Sequence, residues 1–271
     1  MKTVQFASLA LAITALATAN AVPLVTAVGG ANAAAIQLTV DAYRASLGGL
    51  NPNVAGSFGS GRREINWDGV PDALASPNNL PANFFNSNSP RGVVFSTPGT
   101  GFQVSANAGV APVRFDDINA GNSALFSTFS AQRLFTALGS TVTDVTFFVP
   151  GSATPATVSG FGAVFTDVDL PQASSLQFFD LSNASLGTYF VPLVVGNQTL
   201  SFIGALFTTE RVGRVRITSG SQVLGSVGTG DTVVMDDFIY GEPIAVVPEP
   251  TTLALLVAGL GVVGFAARRK R

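Results

Sequence analysis

The sequence predicts an all-β chain: an antiparallel β-sandwich, jelly-roll-like, with a short N-terminal helix, a long loop-rich cap and an apolar helix at each end. Three observations predict it. From Val93 onward, short apolar runs are separated by turn signals roughly every 8–15 residues, among them Pro150-Gly151, Asn183-Ala184, Gly196-Asn197 and Ser219-Gly220. Arg214, Arg216 and Thr218 alternate with Val215 and Ile217, the pattern of a strand with one wet face. The chain's 21 phenylalanines fall mainly in these runs, as filler between two sheets would.

At the N terminus, Lys2 precedes the largely apolar run Phe6–Ala19, which has the length of a signal-peptide h-region. Ala19-Asn20-Ala21 offers a small-x-small cleavage site, so a leader is expected at 1–21; Ala31-Asn32-Ala33 gives an alternative end at 33. Residues 22–37 read as a linker and 38–243 as the sandwich domain. Thr39–Leu47 opens that domain as a helix, with Thr39 as N-cap, Val40, Tyr43 and Leu47 on one face, and Gly48-Gly49 ending it. Residues 48–92 are rich in Gly, Pro, Asn and Ser, yet hold Trp67, Phe84 and Phe85, so they are expected to form a structured cap across one sheet. Strands are then expected at Val93–Ser96, Gly101–Ser105, Val113–Phe115, Arg133–Ala137, Val142–Val149, Thr157–Val168, Ser175–Asp180, Gly187–Val191, Leu200–Phe207, Val212–Thr218 and Thr232–Tyr240.

The C terminus carries a different signal. After a linker at 244–250, residues 251–267 are uncharged and apolar all round. At 1.5 Å per residue such a helix spans roughly 25 Å, the short end of what crosses a bilayer core. The cationic Arg268, Arg269, Lys270 and Arg271 would hold that end in the cytoplasm. Pro248-Glu249-Pro250, an apolar span and a terminal basic cluster together resemble the PEP-CTERM sorting signal of Gram-negative bacteria. The resemblance implies a tail held in the inner membrane, processing by an exosortase, and delivery to the cell surface or an extracellular polysaccharide matrix. A second resemblance, carried by residues 61–72 and 89–95, is to exported bacterial proteins without assigned activity, and it implies no chemistry.

Composition excludes much else. There is no cysteine and no histidine, which removes disulfides, thiolate metal sites, Ser-His-Asp and Cys-His catalysis and the commonest zinc ligands. Between the two targeting segments, nine arginines face 15 acidic residues, a net of −6, so nucleic acid is not an expected partner.

Two groups of residues remain as candidate sites. Acidic pairs recur at Asp116-Asp117, Asp167-x-Asp169 and Asp236-Asp237. Clustered carboxylates at strand ends suit Ca²⁺, and adjacent strand residues point to opposite faces, so one of Asp236 and Asp237 needs a reason to face inward. A metal would supply it; so would solvation of one and an arginine or turn partner for the other. Trp67, the one tryptophan, sits between Asn66 and Asp68. It fits either a core anchor or a ring on which a sugar stacks between amide and carboxylate groups. The arginines at 62–63 and 211–216 fit surface ion pairing better than anion binding. A non-enzymatic surface or matrix protein of structural or adhesive role, binding carbohydrate, is the expected function. The alternative is a secreted polysaccharide-active hydrolase using a carboxylate pair.

Overall fold

In the computed structural model, which describes residues 22–107, 109–208 and 212–246, the chain opens on β1 (Leu24–Gly30) and α1 (Ala33–Leu47). It enters the cap with β2 (Arg62–Ile65) and α2 (Phe84–Ser87). There follow β3 (Val93–Ser96), β4 (Gly101–Val104), α3 (Asn122–Leu125), β5 (Phe135–Leu138), β6 (Val142–Phe147) and β7 (Ala156–Thr157). The last part holds β8 (Gly160–Thr166), β9 (Ser175–Phe179), β10 (Ser185–Phe190), β11 (Leu200–Leu206), β12 (Arg214–Thr218), β13 (Val234–Gly241) and β14 (Ile244–Ala245). The expected leader at 1–21, Val247 to Pro250 with the sorting residues Pro248, Glu249 and Pro250, the expected apolar helix at 251–267 and the basic cluster at 268–271 lie outside the described residues. Among the described residues no helix is long and apolar enough to cross a membrane.

Two antiparallel sheets face each other. One runs β1-β11-β8-β13-β5-β4 with β2 also on β13; the other runs β10-β9-β12-β6-β3. The chain passes repeatedly from one sheet to the other: β3 to β4, β5 to β6, β8 to β9, and through β11, β12 and β13 in turn. That crossing is what the jelly-roll-like expectation describes. Inward residues at every second position meet in one core, with Phe95, Val145, Phe147, Leu176, Phe178, Val215 and Ile217 against Phe102, Phe135, Phe161, Phe165, Met235, Phe238 and Tyr240. On β12 the wet face is as predicted, and Arg214 and Arg216 both pair with Asp144 on β6.

The larger sheet is covered on its outer face as well, which is why β8 and β11 read as continuous apolar runs and not as alternation. Helix α1 lies there, with Ile36, Val40, Tyr43 and Leu47 on Val164, Leu200, Phe202 and Ile239. The helix starts earlier than predicted: Asn32, not Thr39, is the N-cap, its side chain accepting the Ala35 N–H at 3.1 Å. The 22–37 linker expectation is also corrected. Leu24–Gly30 pairs along its full length with β11, from Leu24↔Leu206 to Gly30↔Leu200, and small residues had disguised a strand as a linker. Ile244 and Ala245, expected as linker, pair with β7. Val113–Phe115, expected as a strand, is instead a turn in which Arg114 and Phe115 take positive φ.

Tyr43 lies on a floor of glycine. A Cβ at Gly204 would come within 2.7 Å of the Tyr43 ring and one at Gly162 within 2.9 Å, while the Tyr43 hydroxyl donates to Ala205 O at 3.2 Å. Gly204→Ala is therefore expected to cost about 1–3 kcal/mol through overpacking, read as a lower urea midpoint. Gly49→Ala, with nothing within 4 Å of the added methyl, should leave the midpoint unchanged.

The cap does not lie across one sheet; it closes the side where both sheets end. Ser76 N and Leu80 N donate to Val104 O and Phe102 O of edge strand β4, and Phe95 N of edge strand β3 donates to Ala82 O. Trp67, Val70, Leu80, Phe84 and Phe85 thereby enter the main core between the sheets. Covering those two edges also removes unpaired strand groups that would otherwise invite association.

Candidate ligand-binding cleft

Asp236 and Asp237 come together because strand pairing slips at them. The β13–β8 register jumps from Met235↔Phe165 to Phe238↔Ala163, so two residues of β13 oppose Val164 alone. This bulge overturns the expectation of opposite faces. Ser130 Oγ lies 2.7 Å from Asp237 Oδ1 and 3.2 Å from Asp236 Oδ1, and Phe129 N donates to Asp236 Oδ2 at 2.6 Å. Asp236 is fully buried, and burial first, then the neighbouring Asp237 charge, pushes its carboxyl well above the usual range. Burial raises Asp237 as well, opposed by Ser130 and by Arg44, whose Nη2 meets Asp237 Oδ2 at 2.7 Å.

The four aspartates expected to hold calcium all meet protein groups. Asp236 is met by Phe129 N and Ser130, and Asp237 by Ser130 and the Arg44 guanidinium. Asp116 Oδ1 accepts from Ser123 N at 2.9 Å and Gly121 N at 3.2 Å, capping the turn that opens α3. That bonding holds its carboxyl below the usual range. Asp117 accepts from Gln103 Nε2 at 3.2 Å. Among the described residues no group of three or more acidic side chains is placed to hold a metal.

Arg44 gathers the remaining charges on the outer face. Its Nε meets Glu64 Oε2 at 3.2 Å, its Nη1 meets Asp41 Oδ1 at 3.1 Å, and its guanidinium lies over the Phe129 ring. Arg62 Nε takes the other Glu64 oxygen at 2.6 Å. Above this network opens a cleft of about 280 Å³, lined by Arg44 and Asp237, by Leu50 and Asn53 from the cap, by Glu64 and Asn66 at the end of β2, and by Arg91 and Ser130. Arg91 is fastened below: Nε donates to Glu64 O at 3.0 Å, Nη1 donates to Ser89 Oγ, and the guanidinium sits over the Phe85 ring.

Of the predicted trio, only Asn66 lines the cleft. Trp67 points the opposite way, 1% exposed, stacked on Phe135 at 4.1 Å, with Nε1 donating to Asp236 O at 3.0 Å. It is the core anchor and pins the bulge from within; no ring face is left for a sugar. Asp68 accepts Arg133 N at 3.2 Å, and burial, with a contribution from Asp237, pushes its carboxyl up to about 6. Sequence reasoning missed Arg44, Glu64, Arg91 and Ser130 as cleft residues. A signal existed for two of them: Glu64 and Arg91 lie in the segments 61–72 and 89–95 that carry the second resemblance. The fold joins those segments through the Arg91–Glu64 bond, through Arg63 Nη1 to Pro90 O at 3.1 Å, and through Tyr240 Oη to Arg91 O at 3.0 Å.

The comparisons with known proteins bear on the tail. Residues 246–271 match the model of the PEP-CTERM protein-sorting motif. The chain carries a PEP-CTERM sorting signal. No curated protein matches it. Among solved structures, the enzymatically active domain of bacteriophage CBA120 tailspike protein 4 is similar at 16% identity, over 64% of this chain and 22% of that one, with a TM-score of 0.28.

Proposed function

We propose that this PEP-CTERM protein is exported and held in the inner membrane by its apolar tail. An exosortase-type enzyme then processes it, and it is released to the cell surface or extracellular matrix, where the sandwich acts as a structural or adhesive element that binds carbohydrate. The sorting motif at 246–271 carries the reading, and the leader-like run Phe6–Ala19 agrees with it. The cleft supports binding over hydrolysis. A glycosidase needs one carboxyl to carry a proton into the cleft and another free to attack or activate water. The two acids that line this cleft are ion-paired instead, Glu64 with two guanidiniums and Asp237 with one. Asn53, Asn66 and Arg91 supply hydrogen-bonding groups of the kind that hold sugar hydroxyls.

Deleting residues 247–271 tests the address. Cells producing the full chain should show it in the surface or matrix fraction, and cells producing the truncated chain should lose it from there. An unchanged distribution would refute the sorting reading.

A further inference from the structure

We propose that the cleft recognises the carboxylate of an acidic sugar, with Arg91 as the group that holds it. This rests on the carbohydrate-binding reading above and names its substrate class. Among the described residues, Arg44, Arg62, Arg63, Arg133, Arg214 and Arg216 each meet a carboxylate. Arg114 donates to the backbone carbonyls of Ser123 and Phe126. Arg91 has no acidic partner among the described residues, and it is the one that faces the cleft in that state.

Its orientation is set before any ligand arrives. Nε and Nη1 are bonded and Phe85 supports the guanidinium face, so Nη2 is left as a fixed donor with no partner among the described residues. A guanidinium held in place loses little side-chain entropy on binding, and its planar fork suits a planar carboxylate. The Asn53 and Asn66 amides line the same cleft and make no side-chain hydrogen bond among the described residues, so they are free for ring hydroxyls.

Size and charge narrow the ligand. At about 280 Å³ the cleft sits at the small end of ligand pockets, roughly 300–1,000 Å³, which suits one end of an oligosaccharide and not a folded partner. Glu64 and Asp237 on its wall repel additional negative charge, which favours a monoanion over a dianionic phosphate.

Calorimetric titration of the purified full chain in detergent tests this, using oligogalacturonate, a sulfated galactan oligomer and neutral cello-oligosaccharide as probes. Oligogalacturonate should bind most tightly and weaken as salt is raised. Arg91→Gln should weaken it about tenfold or more and weaken neutral sugar by a smaller factor, since only the acidic sugar loses a charge-assisted bond. Because Arg91 also supports the loop, Asn53→Asp is the second variant: it is exposed, alters no contact among the described residues, and should weaken oligogalacturonate by placing a charge at the rim. Asn53→Lys should strengthen it. Equal binding of neutral sugar, tighter binding of the sulfated oligomer, or wild-type affinity in both Arg91→Gln and Asn53→Asp would overturn the proposal. If neutral sugars bind without acidic preference, the carbohydrate reading stands and this inference falls; if none of the probes binds, both fall.

Discussion

Replacing Glu242 with Leu is expected to destabilise the sandwich by about 3–5 kcal/mol, because it strands a buried guanidinium. Arg63 and Glu242 are both fully buried and paired through two bonds, Nε–Oε2 at 2.6 Å and Nη2–Oε1 at 2.9 Å. The pair is tolerated because the cap completes it. Arg63 also donates to Pro52 O, Gly56 O and Pro90 O at 2.6, 3.1 and 3.1 Å, and Glu242 accepts from Asn51 Nδ2 and Phe58 N. A single substitution therefore removes an ion partner and loosens the loop that supplies Leu50 and Asn53 to the cleft. Urea denaturation should show a lowered midpoint, and hydrogen exchange should quicken over residues 51–58. The Arg63→Leu, Glu242→Leu double variant should lose less than the two single losses added together, since neither charge is then buried alone. A single-variant loss below about 1 kcal/mol would show that the pair does not hold the cap.

The second large effect runs the other way. Asp167→Asn is expected to stabilise the protein at pH 8, by an amount on the order of 2–4 kcal/mol, and to leave it unchanged at pH 4. Asp167 is 5% exposed, and its Oδ1 has no hydrogen-bond partner among the described residues. Burial first, then Asp169 and Asp231, pushes its carboxyl from the ordinary 3.8 up to about 7. A carboxyl raised in the folded state favours folding while it is protonated. The native chain therefore has this contribution in full below about pH 4 and loses it as pH rises through about 7. Asp68, raised to about 6, and the upward shifts of Asp231 and Asp236 act in the same direction. The backbone favours the substitution too, since φ at Asp167 is +68° and asparagine adopts that region readily. Melting curves at the two pH values measure it; a lower melting temperature for the variant at pH 8 would contradict the account.

The strands legible in the sequence were those with one wet face. On β6, β9 and β12 alternate residues are half-exposed, so period-2 patterning shows directly. Strand β1 was lost because Leu-Val-Thr-Ala-Val-Gly-Gly is small, weakly alternating and adjacent to a leader-like run. Strand β2, Arg-Arg-Glu-Ile, carries its inward charge at Arg63, and only a glutamate 179 residues away makes that position inward. The site was half legible for the same reason. Asp236 and Asp237 stood out as an acidic pair, but the bulge that turns both toward Ser130 leaves no local signature. Arg44, the partner of Asp237, is 193 residues from it in sequence. Trp67 was legible as a residue that had to be buried or used, and the core claimed it. The tail was legible throughout, because order, spacing and terminal position make it a signal without any fold.

Hydrogen exchange of the purified full chain, with and without polysaccharide recovered from the surface of the producing cells, tests the central claim that an exported sandwich binds matrix carbohydrate through its outer-face cleft. Slower exchange confined to residues 50–53, 64–66, 89–91 and 129–131 is the predicted result. Protection on the opposite sheet at β9 and β10 with none at the cleft, or no protection at all, would contradict it.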